Sequence, residues 1–203
     1  MSGHKPWSEI KHKADAQNFE RNWWGNCVNT LGEERKQLVY AQHMGIIFND
    51  TGGPGPVHFL AGASVLDIGG GPCSMLLKVE DGGKLKVIDP LPIPEWCKAR
   101  YEAAGIEYVQ QGAEQGVDGD AFDEVWIYNA LQHVEDPEKV LAVARQAGQL
   151  LRVFEWVDIP AHEGHPHELT VESLNRWAGF EGYRVEVNWH GAVGSAWVGI
   201  GFC

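Results

Sequence analysis

Thirteen residues constrain this chain more than any others: Ala63-Ser-Val-Leu-Asp-Ile-Gly-Gly-Gly-Pro-Cys-Ser-Met75. Val65 to Ile68 are strand formers, and three glycines and a proline follow them directly. That order predicts a buried strand, a turn that brings bare backbone close to a ligand, and the start of a helix. A helix N-terminus at that point would offer unpaired N–H groups to a carboxylate or phosphate. Asp67, at the strand's end, would repel a diphosphate but suits an ammonium group or ribose hydroxyls. The dinucleotide pattern G-x-G-x-x-G/A is met at Gly69 and Gly71 and fails at Ser74. The phosphate-loop pattern G-x-x-x-x-G-K-[ST] is absent from the sequence. The pattern Asp/Glu-x-Gly-x-Gly-x-Gly is met at Asp67, Gly69 and Gly71, with Gly70 between them and Cys73 in place of the last glycine. A turn with this composition can also be purely structural, so the rest of the chain has to decide.

Downstream, strand and helix patterns alternate. Helices are predicted near Pro72–Val79, from Pro94 to Gly105 with Cys97, Tyr101 and Ala104 on one face, from Asp136-Pro137 to Gly148, and over Thr170–Ala178. Strands are predicted at Lys84–Asp89, Ile106–Gln110, Phe122–Asn129 and Leu150–Val157. Tyr183, Val185, Val187 and Trp189 alternate strictly, Gly191–Ser195 reads as a turn, and Trp197–Cys203 closes the chain as a strand. Successive strand–helix units ending in two strands joined without a helix imply an α/β fold: a mostly parallel sheet with an antiparallel last strand and helices on both faces.

Residues 1–60 are the surplus, a helical cap on a core of residues 61–203. Ala16, Phe19 and Trp23 form one apolar helical stripe, and Tyr40, Met44 and Ile47 a second. Thr30-Leu-Gly-Glu33 reads as a capping box, and the Gly/Pro-rich run from Asn49 to Pro56 as a linker. Trp7, Trp23 and Trp24 would either line a pocket or staple helices to the core.

A formal charge of −12, from 16 Lys+Arg against 28 Asp+Glu, disfavours nucleic acid as a main partner. The four cysteines (Cys27, Cys73, Cys97, Cys203) are scattered without a C-x-x-C pair, which suits a reducing cytosol. With no apolar run long enough to span a bilayer and no charged-then-apolar leader, the expectation is a cytoplasmic protein without membrane contact.

In open α/β sheets ligands sit beyond the carboxyl ends of the strands, at the point where strand order reverses. Asp67 with Gly69–Gly71, Asp89, Ala113–Glu114 and Asn129–Ala130 all fall at such ends. Asp89 follows Asp67 by 22 residues, close to the spacing of an acid that accepts ribose hydroxyls, although an aspartate before Pro90 is also a common turn residue. Pro90 and Leu91 would give a flat base an apolar edge. Glu114 would accept from an exocyclic amine or stand solvated in a loop.

At these motifs the chain resembles the class I S-adenosylmethionine-dependent methyltransferases of small-molecule type. The resemblance rests on Asp67-Ile-Gly-Gly-Gly71, Val87-Ile-Asp89, Gly112-Ala-Glu114, Asn129-Ala-Leu-Gln-His133-Val-Glu-Asp-Pro137, and His167-Glu-Leu-Thr170 before Trp177-Ala-Gly-Phe180. It covers about residues 60–203 and departs from the family at Cys73 and in the N-terminal region. It implies a Rossmann-like, seven-stranded sheet and S-adenosyl-L-methionine as cofactor. Asp67 and Gly69 would then lie by its methionine end, Asp89 by the ribose, Ala113–Glu114 by the adenine, and the Asn129 carbonyl by the amine. The implied acceptor is a small molecule, with a protein side chain, a modified nucleotide or a non-catalytic binding role as alternatives. Candidate bases are His133, Asp158, His162, His165 and His167; the last three histidines fit no standard metal-ligand spacing, and no metal is expected.

Overall fold

The computed structural model describes residues 13–50, 55–119, 121–189 and 192–203. Trp7, Gly52, Gly53, Pro54 and Gly191, all singled out above, lie outside them. A seven-stranded sheet contains β2 (Val65–Ile68), β4 (Leu85–Asp89), β5 (Ile106–Gln110), β6 (Phe122–Tyr128), β7 (Gly148–Trp156), β8 (Tyr183–Trp189) and β9 (Ala192–Phe202). Its spatial order is β5-β4-β2-β6-β7-β9-β8. The five strands from β5 to β7 are mutually parallel, and β9 runs antiparallel to both its neighbours. A second, two-stranded parallel pair joins β1 (His58–Phe59) to β3 (Val79–Glu80), a pairing too short to leave a periodic trace in the sequence.

Alternation along the buried strands sorts the core into two layers. Val65, Val87, Trp126, Tyr128 and Phe154 face one way. There they pack under α2 (Thr30–His43) and α3 (Glu95–Ala103). Leu66, Ile68, Ile88, Val125, Ile127, Leu151 and Val153 face the other way, under α4 (Pro137–Ala147) and α5 (Val171–Ala178). Helices thus cover both faces, as the alternating pattern required. Side chains cap both α4 and α5: Asp136 accepts from the Lys139 amide, and Thr170 forms a reciprocal cap with Ser173.

The α2 helix is tied firmly to the sheet. Tyr40, Ala41 and Met44 are buried, with the Tyr40 ring stacked on Phe154 at 4.2 Å between centroids. Glu34 bridges Lys78 (2.6 Å) and Arg100 (2.7 Å), and Arg152 donates to the Met44 carbonyl at the helix's end (2.8 Å). By contrast α1 (Lys13–Trp24) leaves Trp23 56% exposed.

Several local readings are corrected. No α-helix follows the glycine turn; two short 3-10 turns, Gly71–Cys73 and Met75–Lys78, stand there instead. Ser74 is extended (φ −48°, ψ 145°), and tyrosine hydroxyls take the amides a helix would leave free. Tyr101 accepts from the Ser74 amide (2.9 Å) and Tyr128 from the Met75 amide (3.0 Å). The capping box at Thr30 does not form, since Asn29 occupies the cap and Glu33 pairs with Lys36. Ile47 is exposed because α2 ends at His43, and Ala104 is exposed as the cap residue after α3. Val193–Ser195, read as part of a turn, belongs to β9.

Candidate active site at the strand ends

Strand order reverses between β2 and β6, and the turns after those strands meet there. Gly69 has φ +80°, and a Cβ on it would lie 2.5 Å from the Ala130 Cβ. The glycine is therefore needed for its dihedral and for the close packing of the two loops, not for room against a ligand as the sequence implied. Asn129 also adopts a left-handed backbone (φ 53°), so both loops bend back over the sheet edge.

Above these turns opens a cavity of ≈ 460 Å³. Gly69, Gly70, Gly71, Asp89, Pro90, Leu91, Asn129 and Ala130 form its floor and one wall. Asp89 accepts from the amides of Gly71 (3.0 Å) and Leu91 (2.8 Å), and burial pushes its carboxyl up to about 7. Each oxygen keeps capacity for one more donor. A smaller recess shares Gly69, Pro90 and Ala130 with the main cavity and extends it toward Ala113 and Glu114. One Glu114 oxygen accepts from the Glu135 amide (2.9 Å).

Asp67 lies beneath the turn and is not part of the cavity wall. It is fully buried, accepting from Ser74 Oγ (2.5 Å) and from the Tyr128 hydroxyl. Its other oxygen has no partner, and burial raises the carboxyl to about 7. A Cβ on Gly70 would lie 2.6 Å from Asp67 Oδ2, so the carboxylate shapes the turn from below.

Glu155, near the end of β7, was missed by sequence reasoning. It is fully buried and its Oε1 accepts from the amides of Ala130 (2.8 Å) and Leu131 (2.9 Å), fixing the loop opposite the glycine turn. Burial raises its carboxyl to about 8. A charged residue in the apolar run Leu-Leu-Arg-Val-Phe-Glu-Trp is the signal that could have found it.

The other wall comes from the N-terminal helices and the segment after β7. Phe19, Glu20, Trp23, Trp24, Lys36 and Tyr40 face His133, Trp156, Ile159, His162 and His165. Closure is tight where α1 meets that segment: a Cβ on Gly164 would lie 2.5 Å from the Phe19 ring. The candidate histidines separate here. His133 donates Nδ1–H to the Gly164 carbonyl (2.6 Å), and burial holds it down to about 4, so the ring is neutral. His162 accepts from the Gly164 amide through Nδ1 (3.3 Å), and its ring lies against that of His165 at 4.3 Å. His167 is not on the wall; its Nε2 bonds the Val134 carbonyl (2.8 Å), where it braces a loop. Asp158 pairs with Arg184 (2.7 Å), also away from the wall. Among the described residues no group of three or more His, Cys, Asp or Glu side chains is placed to hold a metal.

Residues 66–149 match the family described as methyltransferase domain. No curated protein matches the sequence. Several solved structures share the fold. Magnesium protoporphyrin IX methyltransferase (ChlM) from Synechocystis PCC 6803, with bound SAM, is 13% identical with a TM-score of 0.59, covering 98% of this chain and 99% of its own. The 1,6-didemethyltoxoflavin-N1-methyltransferase of Burkholderia thailandensis is 17% identical with a TM-score of 0.57, over 98% and 91%. The N-methyltransferase NodS from Bradyrhizobium japonicum WM9 is 16% identical with a TM-score of 0.53, over 69% and 76%. Residues 66–149, which hold the glycine turn and the Asn129–Ala130 loop, thus match a methyltransferase domain, and the chain shares the fold of these solved methyltransferases.

Proposed function

We propose that this protein transfers a methyl group from S-adenosyl-L-methionine to a small-molecule acceptor held under its N-terminal helices. The observation that carries this is the single cavity joining the glycine turn, Asp89 and Asn129–Ala130 to an aromatic, partly charged wall. Its volume suits a nucleoside-sized ligand with a small second molecule, within the ~300–1,000 Å³ usual for such sites. The fold relatives were solved with SAM (ChlM), with S-adenosylhomocysteine (NodS), or with S-adenosylhomocysteine and 1,6-didemethyltoxoflavin (the Burkholderia enzyme).

The residues present fit that cofactor. Asp89 has oxygen capacity left for two hydroxyls, Pro90 and Leu91 offer an apolar edge, and the recess by Ala113 and Glu114 continues in line with them. Gly71 borders the cavity with bare backbone, and the Asn129–Ala130 loop stands opposite, braced by Glu155. Asp67 acts through the turn it supports. When bound, the cofactor supplies an electrophilic methyl. This chain supplies proximity, alignment and exclusion of water, by closing Phe19 on Gly164 and stacking its aromatic wall around the acceptor.

In this reading residues 1–60 are a cap on a core of 61–203, and the two share hydrophobic packing through Tyr40 and Met44. The acidic balance argues against a nucleic-acid acceptor. No described helix is long and apolar enough to cross a membrane. Three buried thiols outside any disulfide (Cys27, Cys73 and Cys97) favour a cytoplasmic setting. The test is calorimetric titration with S-adenosylhomocysteine, followed by incubation with labelled methyl donor and a metabolite extract. Absence of S-adenosylhomocysteine binding refutes the reading. Binding without label transfer to any small molecule refutes the catalytic part of it.

A further inference from the structure

The charged groups on the cap side of the cavity are unevenly matched. Lys36 is its one lysine or arginine among the described residues, and it is already paired with Glu33 one turn away on α2. Glu20, on α1, faces the same space and among the described residues has no lysine or arginine at salt-bridge distance. Its neighbours are the neutral His133, whose Nδ1 lies 3.3 Å away, and the Trp24 side chain, which bonds it. The rings of Trp23, Trp24, Tyr40 and Trp156 line the same cavity. The Tyr40 ring already receives a cation, the Lys36 ammonium, at 6.0 Å from its centroid.

We infer that Glu20 and these rings form the acceptor subsite for a protonated amine, and that the Glu20 carboxylate takes one proton from its nitrogen. This rests on the function proposed above, whose acceptor it narrows from any small molecule to an amine. The step balances: R–NH₃⁺ and the carboxylate become R–NH₂ and the carboxylic acid, and the nitrogen lone pair is released for bond formation. His133 is not suited to that task, and His162 and His165 lie ring to ring on the segment after β7. The Nδ1–H of His133 is committed to Gly164, and burial keeps its ring a weak base. His167 is outside the cavity. Glu20, in contrast, is pushed up to about 7 by burial, so its basicity is raised toward that of an amine in a dry pocket. An anionic acceptor would have Lys36 alone to meet it, against Glu20, Glu33 and Asp89.

A matched set of probes separates the possibilities without methyl transfer: 2-phenylethylamine, 2-phenylethanol and 3-phenylpropionate, titrated into the full chain with tryptophan fluorescence and calorimetry as readouts. The amine should bind at least tenfold tighter than the alcohol or the carboxylate and quench tryptophan emission. Glu20→Gln should weaken the amine at least tenfold and leave the alcohol within threefold. Amine affinity should fall below pH about 7 in the natural chain and much less in E20Q. The comparison removes contributions from the other titratable groups on the cavity, namely Glu33, Lys36 and Tyr40 on α2, His133 after β6, His162 and His165 after β7, and Asp89 and Tyr128 at the ends of β4 and β6. Equal or tighter binding of the carboxylate, no amine binding at millimolar concentration, or an unchanged amine affinity in E20Q overturns the assignment. The probe selectivity of the unmodified chain decides the case even if E20Q does not fold. A separate S-adenosylhomocysteine titration keeps the two readings apart. If it fails while the amine binds, the cofactor reading falls and the amine subsite stands.

Discussion

Replacing Glu155 tests how the loop opposite the glycine turn is held. Both of its hydrogen bonds run to one oxygen, Oε1, which accepts the Ala130 and Leu131 amides at 2.8 and 2.9 Å, while Oε2 has no partner. Glu155→Gln keeps an acceptor at the bonded position and puts an amide nitrogen at the idle one. Its cost should stay within about 1 kcal/mol. Glu155→Ala leaves two buried amides unpaired, each worth ~1–3 kcal/mol, so about 2–6 kcal/mol in total before any cavity cost. With a urea slope of ~2 kcal/mol per molar, the unfolding midpoint should drop by about 1–3 M in E155A and by under 0.5 M in E155Q. The pH dependence gives a second check. Folding raises this carboxyl from 4.5 to about 8 through burial. Below pH 4.5 both states hold the proton. Above it the unfolded chain releases the proton while the folded chain keeps it, so this group's contribution to stability is lost progressively up to pH 8. E155Q should remove that component and flatten the decline. Equal midpoints for the two variants, or an unchanged pH slope in E155Q, would refute the assignment of Glu155 as the loop's buried brace.

Other outcomes follow from the same geometry. Asp89→Ala should weaken S-adenosylhomocysteine binding by about 1–3 kcal/mol in calorimetry, because it also frees the Gly71 and Leu91 amides that shape the cradle; unchanged affinity in a folded variant removes Asp89 from the site. Gly69→Ala should lower the melting temperature sharply, since its Cβ would meet Ala130 at 2.5 Å and its φ is +80°. Adding Ala130→Gly should recover the steric part and leave a dihedral cost of about 1 kcal/mol; no recovery counts against the packing explanation. Gly164→Ala should push the Phe19 ring away and cut acceptor turnover while S-adenosylhomocysteine affinity stays within about threefold, and normal turnover would show that the contact does not seal the cavity.

The fold was legible because its signals are local and repeated. All five βα strand ends carry a glycine, an acid or an asparagine in or just after the strand, and the alternation of Tyr183, Val185 and Val187 marked the last hairpin. The turn after β2 was misread for a reason no local pattern holds. Tyr101 and Tyr128 reach it from α3 and β6 and accept from the Ser74 and Met75 amides. Asp67 was legible as a motif residue but not as a buried support, because its partners Ser74 and Tyr128 include one 61 residues away. Glu20 escaped notice as an ordinary helix-surface glutamate. Only the packing of α1 over His133 turns it into a cavity group. A truncation starting near Val57 would strip Tyr40, Ala41 and Met44 from the core, so it does not isolate the cap's role.

The unequal anchoring of α1 and α2 has an evolutionary consequence. Substitutions along α2 disturb Tyr40, Met44 and the Glu34 ion pairs, and so are filtered by folding before any selection on chemistry. Substitutions on the cavity side of α1, at Gln17, Phe19, Glu20 or Trp23, meet little of that filter, because the helix contributes only Ala16 to the fully buried set among its described side chains. Gly25 and Cys27, both with positive φ, separate the two regimes within three residues. A lineage built on this scaffold can therefore change its acceptor by drift in one short helix, while the floor of the site stays under purifying selection.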